Sequence, residues 1–508
     1  MINLSTMTEY LWGRKSRFTY LLAASTLLLF AFLGARDIWT QEHRWADIVA
    51  GMFFRDDFLH PYLGENTYYD KPLLSYWLIA VFSKVMGGLS TWALRLPSAL
   101  SGLLAIWSIY RLGSLLKNKS FGLLSGWLLL TTFYFVFWAR TSSADMLNLG
   151  GTLFAIAWYF TKRDSAQFKD YAVFFLIVAV TSLCKGLIGA VVPAIAVVVD
   201  IAMRKAWKAY FRWPVFLAMV PALFVYMLPF IASSLFGGES YHQNGLYLVY
   251  RENILRYFQP FDHQGPIYTY FLYLPIYTFP WALFLIPALL SLPARWKALS
   301  EPSRWISLTL LALFLFFTLS GSRRSYYVLP MVPFAILLIA DWMMSGAVVP
   351  FSRRAWSAGL TLASFVLVFL AIDAVPAWYY SQVGVSRFAF VLKQEAEKIR
   401  PWGDWQVTLL DAESKLNYYL ELPPTLKNQQ IKGAARNEQT TATLISAWPI
   451  LLDKPADHIF ITRLRYVPLL KNYFNGYRVV RLQSRYISRA GLDAPVAFIP
   501  GDNISVAG

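Results

Sequence analysis

The residues able to do chemistry in this sequence collect in a few polar patches set between very apolar runs. The largest is 36–71, RDIWTQEHRWADIVAGMFFRDDFLHPYLGENTYYDK, with seven carboxylates (Asp37, Glu42, Asp47, Asp56, Asp57, Glu65, Asp70) against four cations (Arg36, Arg44, Arg55, Lys71). It stands out in a chain whose formal net charge is +17. Glu42 in this patch and Asp145 in RTSSAD each lie just beyond the outer end of an apolar run. A carboxylate in that position can orient or deprotonate an acceptor, or hold a divalent cation, if it reaches the reacting proton. On spacing alone, solvated loop residues or partners of Arg44 and Arg140 are the simpler reading of both.

Cations complement these acids. Lys71 sits in YYDKPLL, and an ammonium at headgroup height meets a lipid phosphate as a point charge with several donors. A snorkelling lysine is the alternative. Arg256 in RENILRYF and Arg323 and Arg324 in SGSRRS lie on the same side and extend the pattern to an anion site. Two adjacent arginines on the outer side run against the positive-inside bias, and phosphate is the anion that would justify them. Headgroup binding without catalysis competes with that view, and Tyr326 and Tyr327 also suit an interfacial aromatic belt. His43, His60 and His263 form no HExxH or close pair, which argues against a histidine-built zinc site. His263, in FDHQGPIYTYF, is kept as a candidate substrate contact. The lone Cys184 excludes an internal disulfide or a cysteine metal site.

The elements that must position these residues are membrane helices. With 508 residues, 57% of them hydrophobic and only 15% charged, the chain departs from soluble proteins. Apolar runs of spanning length fall at roughly 18–35, 93–116, 120–139, 147–161, 171–184, 187–203, 215–236, 267–291, 304–320, 326–346 and 356–373. Pro275, Pro280 and Pro287 interrupt the run 267–291, so about eleven to thirteen helices are expected. No small-residue cleavage site follows Arg14, Lys15 and Arg17, so the first run is read as a retained span. The segment 72–88 is assigned to the membrane interface. If it crossed, the basic clusters around Lys117, Lys162, Arg204 and Arg295 would fall outside; lying along the surface, it puts them inside with Arg353 and Arg354. The same topology gathers 36–72, RTSSAD, 237–266 and SGSRRS on the outer side.

Residues 374–508 change character, with strand-like runs followed by helix-like ones, and suggest a small outer α/β domain of about 130 residues. The predicted division is thus a helical membrane domain over 1–373, whose loop 36–72 and segment 72–88 form its catalytic face, and an α/β domain over 374–508. There is no GxGxxG or GxxxxGK[ST], so soluble nucleotide is not indicated. No basic stripe with interleaved aromatics points to nucleic acid.

The run QEHRWADIVAGMFFRDDFLHPYLGENTYYDKPLLSYWL resembles the first outer loop of GT-C-fold glycosyltransferases related to protein O-mannosyltransferases and to undecaprenyl phosphate aminoarabinose transferases that modify lipid A. The similarity continues in ALRLPSAL, ARTSSADM, CKGLIGAVVP, RENILRYFQPFDHQGP, FPW and SRRSYYVLPMVPF, in order across the membrane part. It implies a multi-pass enzyme of the bacterial inner membrane that moves a sugar, with inversion, from a polyprenyl phosphate donor on the periplasmic face. The family's loop opens Asp-Glu-x-Arg-Tyr, where this chain has Gln41, Glu42, His43, Arg44 and Trp45. By resemblance Glu42 and Asp145 are the acids of the two outer loops, Lys71 contacts the carrier phosphate, and Arg256 and Tyr327 add further contacts to it. Gln41 replaces the first acid. An amide is no general base, and one hard anionic metal ligand is missing, so Glu42 and Asp145 remain as the base or metal candidates.

Three functions stay open on these grounds. The first is sugar transfer to lipid A or another envelope glycan, whose phosphate oxygen needs orientation more than deprotonation. The second is protein O-glycosylation from the same donor class. The third is a transporter of lipid-linked sugars, which would favour paired halves and midplane charges that the sequence lacks.

Overall fold

The structure, a computed structural model, describes residues 17–39, 41–69, 71–236, 247, 249–260, 263–345, 350–429, 456–471, 473–482 and 491–501, with backbone alone over 350–358. Arg14, Lys15, Asp70, residues 237–246 and the side chains of Arg353 and Arg354 lie outside these. The chain divides into two compact units. One comprises Met1–Leu33, Phe58–Pro61 and Thr67–Asp373; the other takes Gly34–Asp57, Tyr62–Asn66 and Ala374–Gly508.

The first unit is helical. It contains α1 (Arg17–Phe30), then, beyond residues that join the second unit as α2 (Glu42–Arg55), it continues with α3 (Leu74–Val85), α4 (Thr91–Leu116), α5 (Lys119–Leu130), α6 (Phe133–Ala139), α7 (Ala144–Lys162), α8 (Phe168–Lys185), α9 (Ile188–Arg204) and α10 (Trp213–Leu235). After a π-helical turn, Tyr250–Leu255, come α11 (Thr269–Tyr277), α12 (Ala282–Leu290), α13 (Glu301–Leu319), α14 (Val332–Met344) and α15 (Pro350–Phe369). Starts are written in the sequence: Ser90, Asn118 and Ser143 accept the backbone N–H of Ala93, Phe121 and Asp145 at 3.1, 3.0 and 3.0 Å.

Among the described residues, five helices are individually long and apolar enough to cross a membrane: Thr91–Leu116, Trp213–Leu235, Glu301–Leu319, Ser325–Met344 and Gly359–Glu397. The predicted run 120–139 is instead the bent pair α5 and α6, at 72°, and 267–291 breaks into α11 and α12. These interruptions, with shorter or more charged helices such as α7, α8 and α9, separate this strict count from the eleven to thirteen apolar runs. The helix α3 has 12 residues, about 18 Å at ~1.5 Å per residue and short of a ~30 Å hydrocarbon core.

Small residues let the helices approach. A Cβ on Gly150 of α7 would fall 2.2 Å from Ser101 Oγ of α4, so these two backbones meet where only hydrogen fits. Arg140, at the end of α6, is buried. It donates to Leu28 O at 3.0 Å and Ala31 O at 2.6 Å and forms an ion pair with Asp373. Arg140 therefore has a partner of its own far along the chain, which separates it from Asp145.

The second unit carries α2, α16 (Val375–Val383), α17 (Val385–Glu397) and a five-stranded sheet of β1 (Gln406–Leu410), β2 (Asn428–Gln429), β3 (His458–Arg463), β4 (Tyr477–Val480) and β5 (Pro495–Pro500), in the order β2-β1-β3-β5-β4. β1 pairs in parallel with β2 and β3, and β5 runs antiparallel to β3 and β4. Alternation along β3 sends Ile459 and Ile461 to one face, packed with Phe388, Leu392 and Ala396 of α17, and Phe460 to the other with Tyr466, Leu470 and Phe474. The buried Asp37 ties the segment before α2 to this domain. Its carboxylate accepts Val385 N–H at 2.6 Å and Ser386 Oγ–H at 2.6 Å, capping α17, and Ile38 N–H donates to Tyr419 Oη at 2.7 Å.

Candidate active site

In the first unit the site starts at the N-terminus of α7. Ser143 caps the helix and also donates its hydroxyl to Asp145 Oδ2 at 3.0 Å, which fixes the carboxylate rotamer. Asp145 Oδ1 forms an ion pair with Lys185, the last residue of α8, and each side chain is only 11% exposed. The ammonium lies 5.1 Å from the centroid of the Tyr327 ring, within cation–π range. Gly186 follows at φ +111, a conformation that turns the chain sharply into α9 and that side chains rarely adopt.

A pocket opens beside this pair. Its polar side is lined by Tyr69, Lys71, Lys185, Glu252 and Asn253, and its apolar side by Leu73, Pro229, Phe230 and Val249. Glu252 is held by Arg256 at 2.5 Å, so Lys71, Lys185 and Arg256 set three positive charges against Asp145 and Glu252. The approach of Lys71 is fixed by Tyr69, whose hydroxyl donates to Leu59 O at 3.0 Å and shares a 3.0 Å contact with Ser233 Oγ. His60 Nε2 meets Ser233 O at 3.0 Å, so this buried histidine fastens the loop to α10. Apolar walls with a few converging charges fit an amphiphile that carries an anionic head.

The comparisons with known proteins bear on this arrangement. Residues 70–231 match a family described as dolichyl-phosphate-mannose-protein mannosyltransferase. A curated relative from Shewanella sediminis, an undecaprenyl phosphate-alpha-4-amino-4-deoxy-L-arabinose arabinosyl transferase, is 27% identical over 420 residues, 78% of this chain and 72% of the relative. A relative of the same name from Aeromonas salmonicida is 27% identical over 68% of this chain, and the chain spans 63% of that protein's length. Among solved structures, ArnT from Cupriavidus metallidurans bound to undecaprenyl phosphate matches with a TM-score of 0.66 at 17% identity, covering 96% of this chain and 98% of that one. The chain is a GT-C-fold glycosyltransferase.

In this glycosyltransferase the expected residues divide into groups. Asp145, Lys185 and Tyr327 converge, and Lys71 lines the pocket whose wall bears Glu252, the ion-pair partner of Arg256. Arg323 and Arg324 are committed to the protein. Arg323 donates from its backbone to His263 O at 2.7 Å and from its guanidinium to Gly265 O at 3.0 Å. Arg324 reaches His263 Nε2 at 2.9 Å and Tyr326 Oη at 3.0 Å. Because arginine only donates, His263 Nε2 is the acceptor and the imidazole carries its proton on Nδ1. The paired arginines thus fasten the loop around His263.

Glu42, Gln41 and Arg44 belong to the second unit, at the start of α2. Glu42 is completely buried; its Oε2 accepts Trp39 N–H at 2.6 Å and lies 3.7 Å from Arg36. Its carboxylate closes the turn that leads into α2. One turn on, burial pushes Asp47 up to about 7. Among the described residues no three His, Cys, Asp or Glu side chains stand together to hold a metal ion, and Asp145 is occupied by Lys185. The donor set around Asp145 does not fit a protein-held divalent ion. Lys185 and Glu252 were not singled out from sequence. Their signals were the glycine after Lys185 in CKG and the i,i+4 spacing of Glu252 and Arg256.

Proposed function

We propose that this transferase moves a sugar from a polyprenyl phosphate donor, undecaprenyl phosphate in the first place, to lipid A or another envelope glycan at the periplasmic face of the bacterial inner membrane. The observation that carries the reading is the pocket with Lys71 and Lys185 on one side and apolar residues on the other. A prenyl chain lies on the apolar wall, and the phosphate meets the two ammonium groups. The printed activity of the curated relatives and the undecaprenyl phosphate bound in the ArnT structure support this choice of carrier.

Inverting transfer breaks the bond between the anomeric carbon and the carrier phosphate while the acceptor oxygen attacks from the opposite face. Negative charge grows on the leaving phosphate, and Lys71 and Lys185, with Arg256 and Tyr327 as further contacts, stabilise it. As Lys185 turns toward phosphate, Asp145 is released to orient the acceptor or take its proton. An acceptor phosphate oxygen needs only orientation. Glu42, buried beside Trp39 and Arg36, acts by shaping α2, and Arg324 holds His263 in their own loop.

Lys71→Ala and Asp145→Ala are each expected to abolish transfer from undecaprenyl-phosphate-linked aminoarabinose to lipid A while membrane insertion stays normal; near-normal turnover in both would overturn the site. A protein acceptor is the second reading, favoured by the mannosyltransferase match over 70–231. Mass spectrometry of lipid A and of envelope proteins from a deletion strain separates the two.

A further inference from the structure

The elbow between α8 and α9 is held by a residue from a distant part of the same unit. Asn253 sits in the π-helical turn Tyr250–Leu255. Its Oδ1 accepts the Leu187 N–H at 2.6 Å, and its Nδ2 donates to Val249 O at 2.8 Å, closing its own turn. The fit is tight, because a Cβ on Gly186 would come within 2.5 Å of Asn253 Oδ1. On one side of this contact stands Lys185, paired with Asp145 and lying over Tyr327. On the other stand Glu252 and Arg256, the latter one turn later.

We propose that Asn253 is a positioning residue: its carboxamide latches the Lys185–Gly186 elbow to the turn bearing Glu252 and Arg256, so that Lys185 is delivered to Asp145 and Lys185 and Glu252 line one pocket. This role rests on the function proposed above. Three features make Asn the fitting residue. An acceptor must face Leu187 N–H, a donor must face Val249 O, and the planar group must lie flat on a glycine. A helix-only role for Asn253 would need the bond to Val249 alone and would leave Gly186 indifferent to it.

The test uses the full chain in lipid nanodiscs, with undecaprenyl-phosphate-linked aminoarabinose as donor and lipid A as acceptor. Asn253→Ala is expected to lower kcat/KM at least tenfold with an unchanged melting temperature, and Asn253→Asp, which keeps an oxygen facing Leu187 N–H but loses the donor to Val249 O, to recover part of it. Hydrogen exchange reads the latch without turnover: Asn253→Ala should speed exchange in 186–190 and 250–256 together. Exchange that rises in only one segment, or activity within twofold of wild type, overturns the inference. So does an Asn253→Asp variant no better than Asn253→Ala. If wild type fails to turn over this donor while the two segments still exchange as one, the functional reading falls and the latch stands.

Discussion

Replacing Lys185 by methionine tests whether the Asp145 pair is a working part of the site or only a structural one. Both side chains are 11% exposed, so removing the ammonium leaves a nearly buried carboxylate with Ser143 as its remaining hydroxyl donor. Deleting one partner of a buried pair costs about 3–5 kcal/mol, and the surviving hydroxyl places this case at the lower end. Neutralising the other partner as well, in Lys185→Met with Asp145→Asn, removes the stranded charge. The double variant should therefore regain most of the lost stability, giving a coupling of about 2–3 kcal/mol in the cycle. Activity should behave differently. Loss of a cation aimed at the leaving phosphate costs on the order of 10²–10³ in kcat, and the double variant recovers none of it. Thermal melts at one scan rate and turnover of undecaprenyl-phosphate-linked aminoarabinose give both readouts. Additive stability losses, or a double variant that regains turnover, would refute the reasoning.

Two further predictions concern the second unit. In the folded chain Asp47 keeps its proton to about pH 7, whereas an unfolded aspartate releases it near pH 4. Stability therefore falls as pH rises across that window, by at most about 4 kcal/mol at ~1.4 kcal/mol per pKa unit for this partly buried group. Asp47→Asn should match wild type near pH 4 and melt higher at pH 8; a lower melting temperature at pH 8 would contradict this. At the Asp37 cap, Ser386→Ala removes a hydroxyl that donates to a buried carboxylate at 2.6 Å, with an expected loss of about 1.5–3 kcal/mol. Gly384→Ala, whose Cβ would stand 2.8 Å from both Asp37 Oδ1 and Tyr380 O, should cost about 1–3 kcal/mol. Unchanged melting in both variants would exclude a stabilising cap.

Much of the architecture was legible because it follows from local chemistry. RTSSAD contains its own helix cap, so Asp145 could be placed at a helix start from six residues. The prolines at 275, 280 and 287 announced a broken run. Lys185 was harder to read. It ends an apolar helix like any snorkelling lysine, and only the tertiary approach of α7 gives it Asp145. For the arginine pair, the acceptors on His263 and Gly265 lie some 60 residues earlier, beyond the reach of local reading. Glu42 matches an acid at the head of a loop, yet Trp39 N–H and Arg36 are close enough in sequence to claim it. Composition cannot distinguish a carboxylate that serves substrate from one that serves its own helix.

The clamp at Arg140 bears on how the chain is made. Its guanidinium is satisfied at one end by carbonyls of α1 and at the other by Asp373, so the opening helix and the last residue of the first unit meet on one side chain. Ribosomal synthesis delivers Arg140 more than two hundred residues before its acid. During that interval the growing bundle holds a cation whose countercharge has not yet been translated, and the insertion machinery must tolerate it.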